Sequence, residues 1–199
     1  MQLSDEQSKF VEIAQEGKNI LVDACIGSGK TTAIQVLCEE LPKEKNILYL
    51  TYNKLLKIDA KSKIHKKNVL VTNYHGFAYM YLIRMGVKAG ISDLIQKFIN
   101  TKPNIAPYDV LIIDEYQDIE LELAELLKMV KAANPKMQII AVGDMQQKIY
   151  DKTTLNVSKF IDDFLGEHVL LEFTRCFRLS AELAASLGRI WNKPIVGVN

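Results

Sequence analysis

A glycine-rich turn, Ala24-Cys25-Ile26-Gly27-Ser28-Gly29-Lys30-Thr31-Thr32, follows directly on the run Asn19-Ile20-Leu21-Val22-Asp23. The short apolar run reads as a buried strand, and the glycines closing on a lysine read as a tight turn into a helix. Strand, loop and helix must therefore follow one another without a break. A loop of this kind turns its backbone N–H groups inward on an anion, and a helix beginning at Lys30 points its positive dipole end at the same place. Against the phosphate-loop pattern G-x-x-x-x-G-K-[ST] the chain departs once, with Ala24 in place of the first glycine. On this reading Ala24, Gly27, Ser28, Gly29 and Thr32 line the phosphates. Lys30 reaches the β/γ oxygens, and the Thr31 hydroxyl is a ligand for Mg²⁺. The alternative is a plain strand-to-helix turn made by Gly27 and Gly29.

A second aliphatic run, Val110-Leu111-Ile112-Ile113, ends in Asp114-Glu115-Tyr116-Gln117-Asp118. Two adjacent acids at the carboxyl end of a buried strand fit two tasks in phosphate chemistry. Asp114 would enter the Mg²⁺ shell, and Glu115 would act as base for an attacking water. Asp118 reads as part of a solvated acidic turn.

With 199 residues, 48% apolar and 25% charged, the chain has the size and composition of one globular domain with a real core. A net charge of +1 argues against a polybasic nucleic-acid binder but allows a local basic track. Cys25, Cys38 and Cys176 are odd in number and widely spaced, as in a reducing compartment. Neither they nor His65, His75 and His168 show metal-ligand spacing, so no structural metal is expected. No signal peptide and no apolar stretch near the roughly 20 residues of a membrane span are present, which gives a soluble, cytoplasmic expectation without membrane partners.

Six short β-rich runs, at 19–24, 46–52, 68–74, 109–115, 138–144 and 167–173, alternate with helical patterns. That alternation predicts a mostly parallel sheet with helices on both faces. Helical spacing runs from Ala33 to Leu41 before Pro42 and from Leu121 to Val130 before Asn134-Pro135. The segment at about 77–108 breaks the alternation and reads as a small insertion with an amphipathic piece at Leu94-Ile95-Phe98-Ile99. Lys30 and Thr31, Thr51 to Lys54, Thr72 to Gly76, Asp114 and Glu115, and Gly143 to Gln147 all fall just past predicted strand ends. Open parallel sheets bind ligands along that edge.

The motifs, in this order, resemble the first motor domain of superfamily 1 helicases of the UvrD/Rep type. Leu3-Ser4-Asp5-Glu6-Gln7 is similar to the Q motif, Ala24 to Thr32 to motif I in its alanine-first form, and Leu50 to Lys54 to motif Ia. Thr72-Asn73-Tyr74-His75-Gly76 is similar to motif Ib, Asp114 to Asp118 to motif II, Val142 to Gln147 to motif III, and Cys176-Phe177-Arg178 to motif IV. The resemblance implies a RecA-like P-loop NTPase fold, ATP and Mg²⁺ as cofactors, and single-stranded DNA as partner.

It also implies roles for residues. Gln7 would read the adenine edge through its carboxamide, although Ser4-x-x-Gln7 is equally a helix capping box. Phe177 would stack on adenine, where a core position is the alternative. Gln147 and Arg178 would sense the γ-phosphate, while Arg175 reads as a surface charge. Thr51, Tyr52, Asn53, Lys54, Thr72, Tyr74 and His75 would contact the nucleic acid, with Tyr52 and Tyr74 as stacking platforms. Lys54, Lys57, Lys61, Lys63, Lys66 and Lys67 form a basic run that reads either as a solvated face or as a phosphate track.

The chain departs from the family after motif III, where Tyr150 leads into Asp151-Lys152-Thr153-Thr154 with no tryptophan in reach. It ends at Asn199, before a second motor domain, so the expectation is one motor domain of a longer helicase-like chain. In the family a second-domain arginine completes the site, so the 199 residues by themselves are expected to hydrolyse ATP very slowly. A nuclease or repair protein is a further expected partner, and a nucleotide-gated DNA sensor or recruitment module is the alternative function.

Overall fold

The computed structural model describes residues 3–52, 54–147 and 155–198, and of Gln147 the backbone alone. The strands are β1 (Ile20–Ala24), β2 (Ile47–Thr51), β3 (Val69–Asn73), β4 (Val110–Asp114), β5 (Gln138–Gly143) and β6 (Val169–Phe173). The helices are α1 (Asp5–Gln15), α2 (Lys30–Glu40), α3 (Lys54–Lys63), α4 (Tyr74–Arg84), α5 (Leu94–Thr101), α6 (Leu121–Ala133), α7 (Val157–Leu165) and α8 (Ala181–Trp191). Each strand lies inside one of the six runs picked out by apolar patterning.

The strands form one sheet in the order β3-β2-β4-β5-β1-β6, and every pairing in it is parallel. Two short strands near the C-terminus, β7 (Arg175–Cys176) and β8 (Val196–Gly197), pair separately. Strands β2, β4 and β5 are buried along their whole length, as central parallel strands covered on both faces must be.

Side chains alternate between two cores with the two-residue period of a strand. Ile47 and Tyr49 of β2 join the core beneath α1, α2 and α3, whereas Leu48 and Leu50 join the core beneath α4, α5, α6 and α7. This is the three-layer RecA-like P-loop NTPase arrangement. Helix α2 stops before Pro42 and α6 before Asn134-Pro135, at the breakers that end their patterns. Residues 77–108 hold the rest of α4 together with α5, and the Phe77, Tyr81 and Phe98 rings pack with centroids 4.9 to 5.9 Å apart.

All three cysteines are free thiols and buried. Among the described residues no helix is long and apolar enough to cross a membrane.

Candidate active site

The carboxyl ends of three neighbouring strands, β4, β5 and β1, deliver the acid pair, Asp144 and the glycine-rich loop to one edge of the sheet. Ala24 closes β1 in extended backbone, where a methyl group is admitted, so its departure from glycine has a local reason. Gly27 and Gly29 take φ of 68° and 75°, the left-handed region that favours glycine. A Cβ on Gly27 would also lie 2.8 Å from the Arg178 Cβ. Gly29 is the N-cap of α2, and neither a capping side chain nor an acidic residue occupies that first turn. The buried Ser28 hydroxyl has no partner among the described residues. Unsatisfied donors at a helix N-terminus are the requirement for holding phosphate, and Thr31 and Thr32 stand in the same half-buried turn.

Lys30 and Glu115 bridge this loop to β4, with Nζ 3.5 Å from Oε1 and side chains only 11% and 18% exposed. Glu115 has φ 57° and ψ 50°, a left-handed conformation that costs a non-glycine residue about 1 to 2 kcal/mol. Its other oxygen accepts a hydrogen bond from Gln117 Nε2 at 2.7 Å, and Gln117 Oε1 accepts one from the Asp144 N–H at 3.0 Å. Gln117 therefore orients the acid and ties it to the segment after β5. Sequence reading placed Gln117 in the acidic motif without a task, since the Asp144 N–H that it meets lies past the end of β5.

Asp114 is 2% exposed. Its Oδ2 accepts the Tyr49 hydroxyl at 2.8 Å, and its Oδ1 has no partner among the described residues. Burial and then the neighbouring Glu115 charge push its pKa up to about 7, with Tyr49 and Lys30 opposing the shift. An orphaned, desolvated carboxylate oxygen fits a divalent cation, and the Thr31 hydroxyl would offer a second hard oxygen of the kind Mg²⁺ takes. Because the folded pKa lies above the ordinary 3.8, this group's contribution to metal-free stability is full below pH 3.8 and is lost as the pH rises through about 7. Mg²⁺ bound there would take the place of that proton, so saturating Mg²⁺ should raise the melting temperature more at pH 8 than at pH 6. An equal rise at both pH values in a thermal-shift titration would remove Asp114 from the ligand set.

The loop is roofed by the segment after β6. Phe177 donates its N–H to the Gly27 carbonyl at 2.9 Å and leaves its ring 42% exposed beside Gly29, while Arg178 is exposed over Gly27. Glu6 fixes this segment from α1, accepting from the Thr174 N–H at 2.9 Å. Gln7 forms the capping box with Ser4, and its Nε2 donates to the Ser28 and Gly29 carbonyls at 3.0 and 3.4 Å. The carboxamide thus braces the phosphate loop from below. Arg175 pairs with Asp5 at 3.5 Å on the surface, as expected of a plain charge.

The expected nucleic-acid residues divide. Thr51, Thr72 and Tyr74 are 0%, 6% and 1% exposed, so their side chains do not face a strand on this edge. Tyr74 in particular is no stacking platform. It is the first residue of α4, packed in the core, because a helix starting there turns its ring under the sheet. Tyr74→Ala should therefore destabilise the fold by about 3 to 5 kcal/mol, the range for deleting a buried aromatic; a stability loss below about 1 kcal/mol in urea melts would contradict this.

Tyr52, half-buried, lines a cavity of about 320 Å³ with Asn73, His75, Ile95, Glu120, Glu122 and Leu123, and Lys54 is exposed nearby. The basic run is not one track. Lys63 pairs with Asp59, and Lys66 caps the end of α2 through the Glu39 and Leu41 carbonyls. Asn53, Tyr150, Asp151 to Thr154 and the Gln147 side chain lie outside the described residues.

Solved structures of similar fold include helicases. The Pif1 helicase from Bacteroides in complex with ADP-AlF3 and ssDNA aligns with a TM-score of 0.61 at 20% identity over 96% of this chain and 47% of its own. The Pif1 helicase from Candida albicans aligns with a TM-score of 0.60 at 17% identity over 96% and 44%. Bacteroides Pif1 bound to ssDNA aligns with a TM-score of 0.57 at 19% identity over 98% and 47%. At such identities the likeness is one of fold, and the chain spans less than half the length of these structures. No curated protein matches the sequence significantly. Residues 7–153 match the family model described as AAA domain, and with its phosphate loop, acid pair and parallel sheet in place the chain belongs to that family.

Proposed function

We propose that this chain is the ATP-binding motor domain of a superfamily 1 DNA helicase, hydrolysing ATP to drive movement along single-stranded DNA. The observation that carries the proposal is the Lys30–Glu115 contact at 3.5 Å across the phosphate loop, beside a buried carboxylate with an orphaned oxygen. Asp114 and Thr31 would hold Mg²⁺, which supplies charge to the β- and γ-phosphates. Lys30 and the open turn of α2 bind the phosphates, and Glu115 orients the attacking water and takes its proton. The exposed Phe177 ring receives the adenine, Gln7 reads its edge by exchanging the long Gly29 contact, and Arg178 and Gln147 answer to the γ-phosphate.

Within superfamily 1, the motif wording supports the UvrD/Rep type, whereas the solved structures of similar fold named above are Pif1 helicases. The strand would cross the edge at Tyr52, Asn53, Lys54 and His75. A second motor domain in a longer cytoplasmic chain would close over Phe177 and Arg178, and a nuclease or repair partner belongs to the same proposal. The alternative, a nucleotide-gated DNA sensor, uses the same cleft and is favoured if hydrolysis never responds to DNA.

Calorimetry of the chain with Mg·ATP and Mg·GTP, followed by phosphate release with and without single-stranded DNA, tests the proposal. ATP should bind more tightly than GTP, and turnover by the 199 residues should fall below the roughly 1 s⁻¹ floor of ordinary enzymes. Absence of Mg·ATP binding would overturn it.

A further inference from the structure

Lys193 lies two residues past α8, just after Asn192 turns the chain with φ 48° and ψ 45°. Its backbone N–H donates to the Gly188 carbonyl at 3.0 Å, and its side chain, only 9% exposed, reaches under the phosphate loop. There Nζ lies 2.6 Å from Asp23 Oδ1, 2.9 Å from Asp144 Oδ1 and 3.4 Å from the Ala24 carbonyl.

Those partners stand on adjacent strand ends. Asp23 of β1 is paired in register with Gly143 of β5, and Asp144 is the next residue along. One of these strands leads into the phosphate loop through Ala24. The other leads into the turn Met145–Gln147, where the Gln146 N–H donates to Asp144 Oδ1 at 3.0 Å.

Asp144 is fully buried, and two carboxylates at neighbouring strand ends repel one another unless a cation sits between them. Among the described residues Lys193 places its ammonium between them. Burial alone would lower its pKa, but the hydrogen bonds to Asp23 and Asp144 outweigh it and hold the ammonium above the ordinary lysine value. From Asp144 the chain of contacts continues through Gln117 to Glu115. The ammonium therefore sits at one end of a polar chain that has the water-activating acid at the other, and it grips the peptide from which the phosphate loop departs.

We infer that Lys193 is a positioning residue for nucleotide binding and hydrolysis, clamping the end of β1 to the end of β5 so that the phosphate loop and the acid pair keep their spacing. The inference rests on the reading of the loop as an ATP site. A residue that only stabilised the fold would change the melting temperature and leave the affinity of the folded protein alone; a positioning residue changes the affinity as well.

The test uses the 199-residue chain and its Lys193→Met and Lys193→Arg variants, with Mg·ATP affinity measured by calorimetry well below each melting temperature. Lys193→Met should bind Mg·ATP about tenfold more weakly, and Lys193→Arg, which keeps the charge, should recover most of that loss. If Lys193→Met does not fold, Asp23→Asn takes its place, since it leaves the pair with the buried Asp144 intact, and it should weaken binding in the same direction. Unchanged affinity in a folded Lys193→Met or Asp23→Asn protein overturns the positioning role while the ATP site stands. A wild-type chain that fails to bind Mg·ATP overturns the site reading, and this inference with it.

Discussion

Lys30→Ala should lower the affinity for Mg·ATP by about 30- to 150-fold, the equivalent of losing one charge-assisted hydrogen bond of about 2 to 3 kcal/mol to the phosphates. The side chain stands at the first position of α2, where the unsatisfied donors of the helix turn also meet the anion, so it adds a full charge to a site already poised for one. Its removal touches stability less. Lys30 faces Glu115 at 3.5 Å, and Glu115 retains its bond from Gln117 at 2.7 Å when the ammonium is gone. Calorimetry and a thermal melt on the same samples separate the two effects, and an unchanged nucleotide affinity would dismiss the loop as a phosphate site.

Glu115→Gln should act on the opposite quantity. A carboxamide cannot accept the proton of the attacking water, so turnover should fall by about 10² to 10⁴, the range for general-base catalysis. Binding should stay the same or tighten. The Gln117 amide can still donate to the new carbonyl, and Lys30 loses its carboxylate partner and is free for the γ-phosphate. Glutamine meets the same left-handed backbone constraint as glutamate at φ 57°, so the substitution adds no strain of its own. Single-turnover phosphate release beside a nucleotide titration distinguishes a lost base from a lost site; a variant that hydrolyses ATP at the wild-type rate would move the base elsewhere.

The two outcomes depend on information of different range. The apolar runs at 19–24 and 109–115 and the glycines before Lys30 are local patterns, and each became the element it predicted, because strand burial and left-handed turns impose rules on consecutive residues. The six strands, the breakers at Pro42 and Asn134-Pro135, and the carboxyl-edge placement of both acids were legible for the same reason.

What the neighbours of each strand would be was not legible. The structure inserts β5 between β1 and β4, which puts Asp144 between the loop and the acids and gives Gln117 and Lys193 their partners. It also turns Tyr74 into the core, although its polar neighbours read as a binding loop, because α4 begins one residue after β3 ends. Tyr49 appeared as one more strand residue and is in fact the hydroxyl that holds Asp114. Local sequence therefore determined which segments are strands, where the phosphate loop bends and that the acids end a strand, since those follow from the side chains of adjacent residues. Only the tertiary structure decided which strands lie together, which hydroxyls are buried and which charge compensates Asp23 and Asp144, since a contact such as Lys193 to Asp23 spans 170 residues of chain and exists only once the sheet has closed.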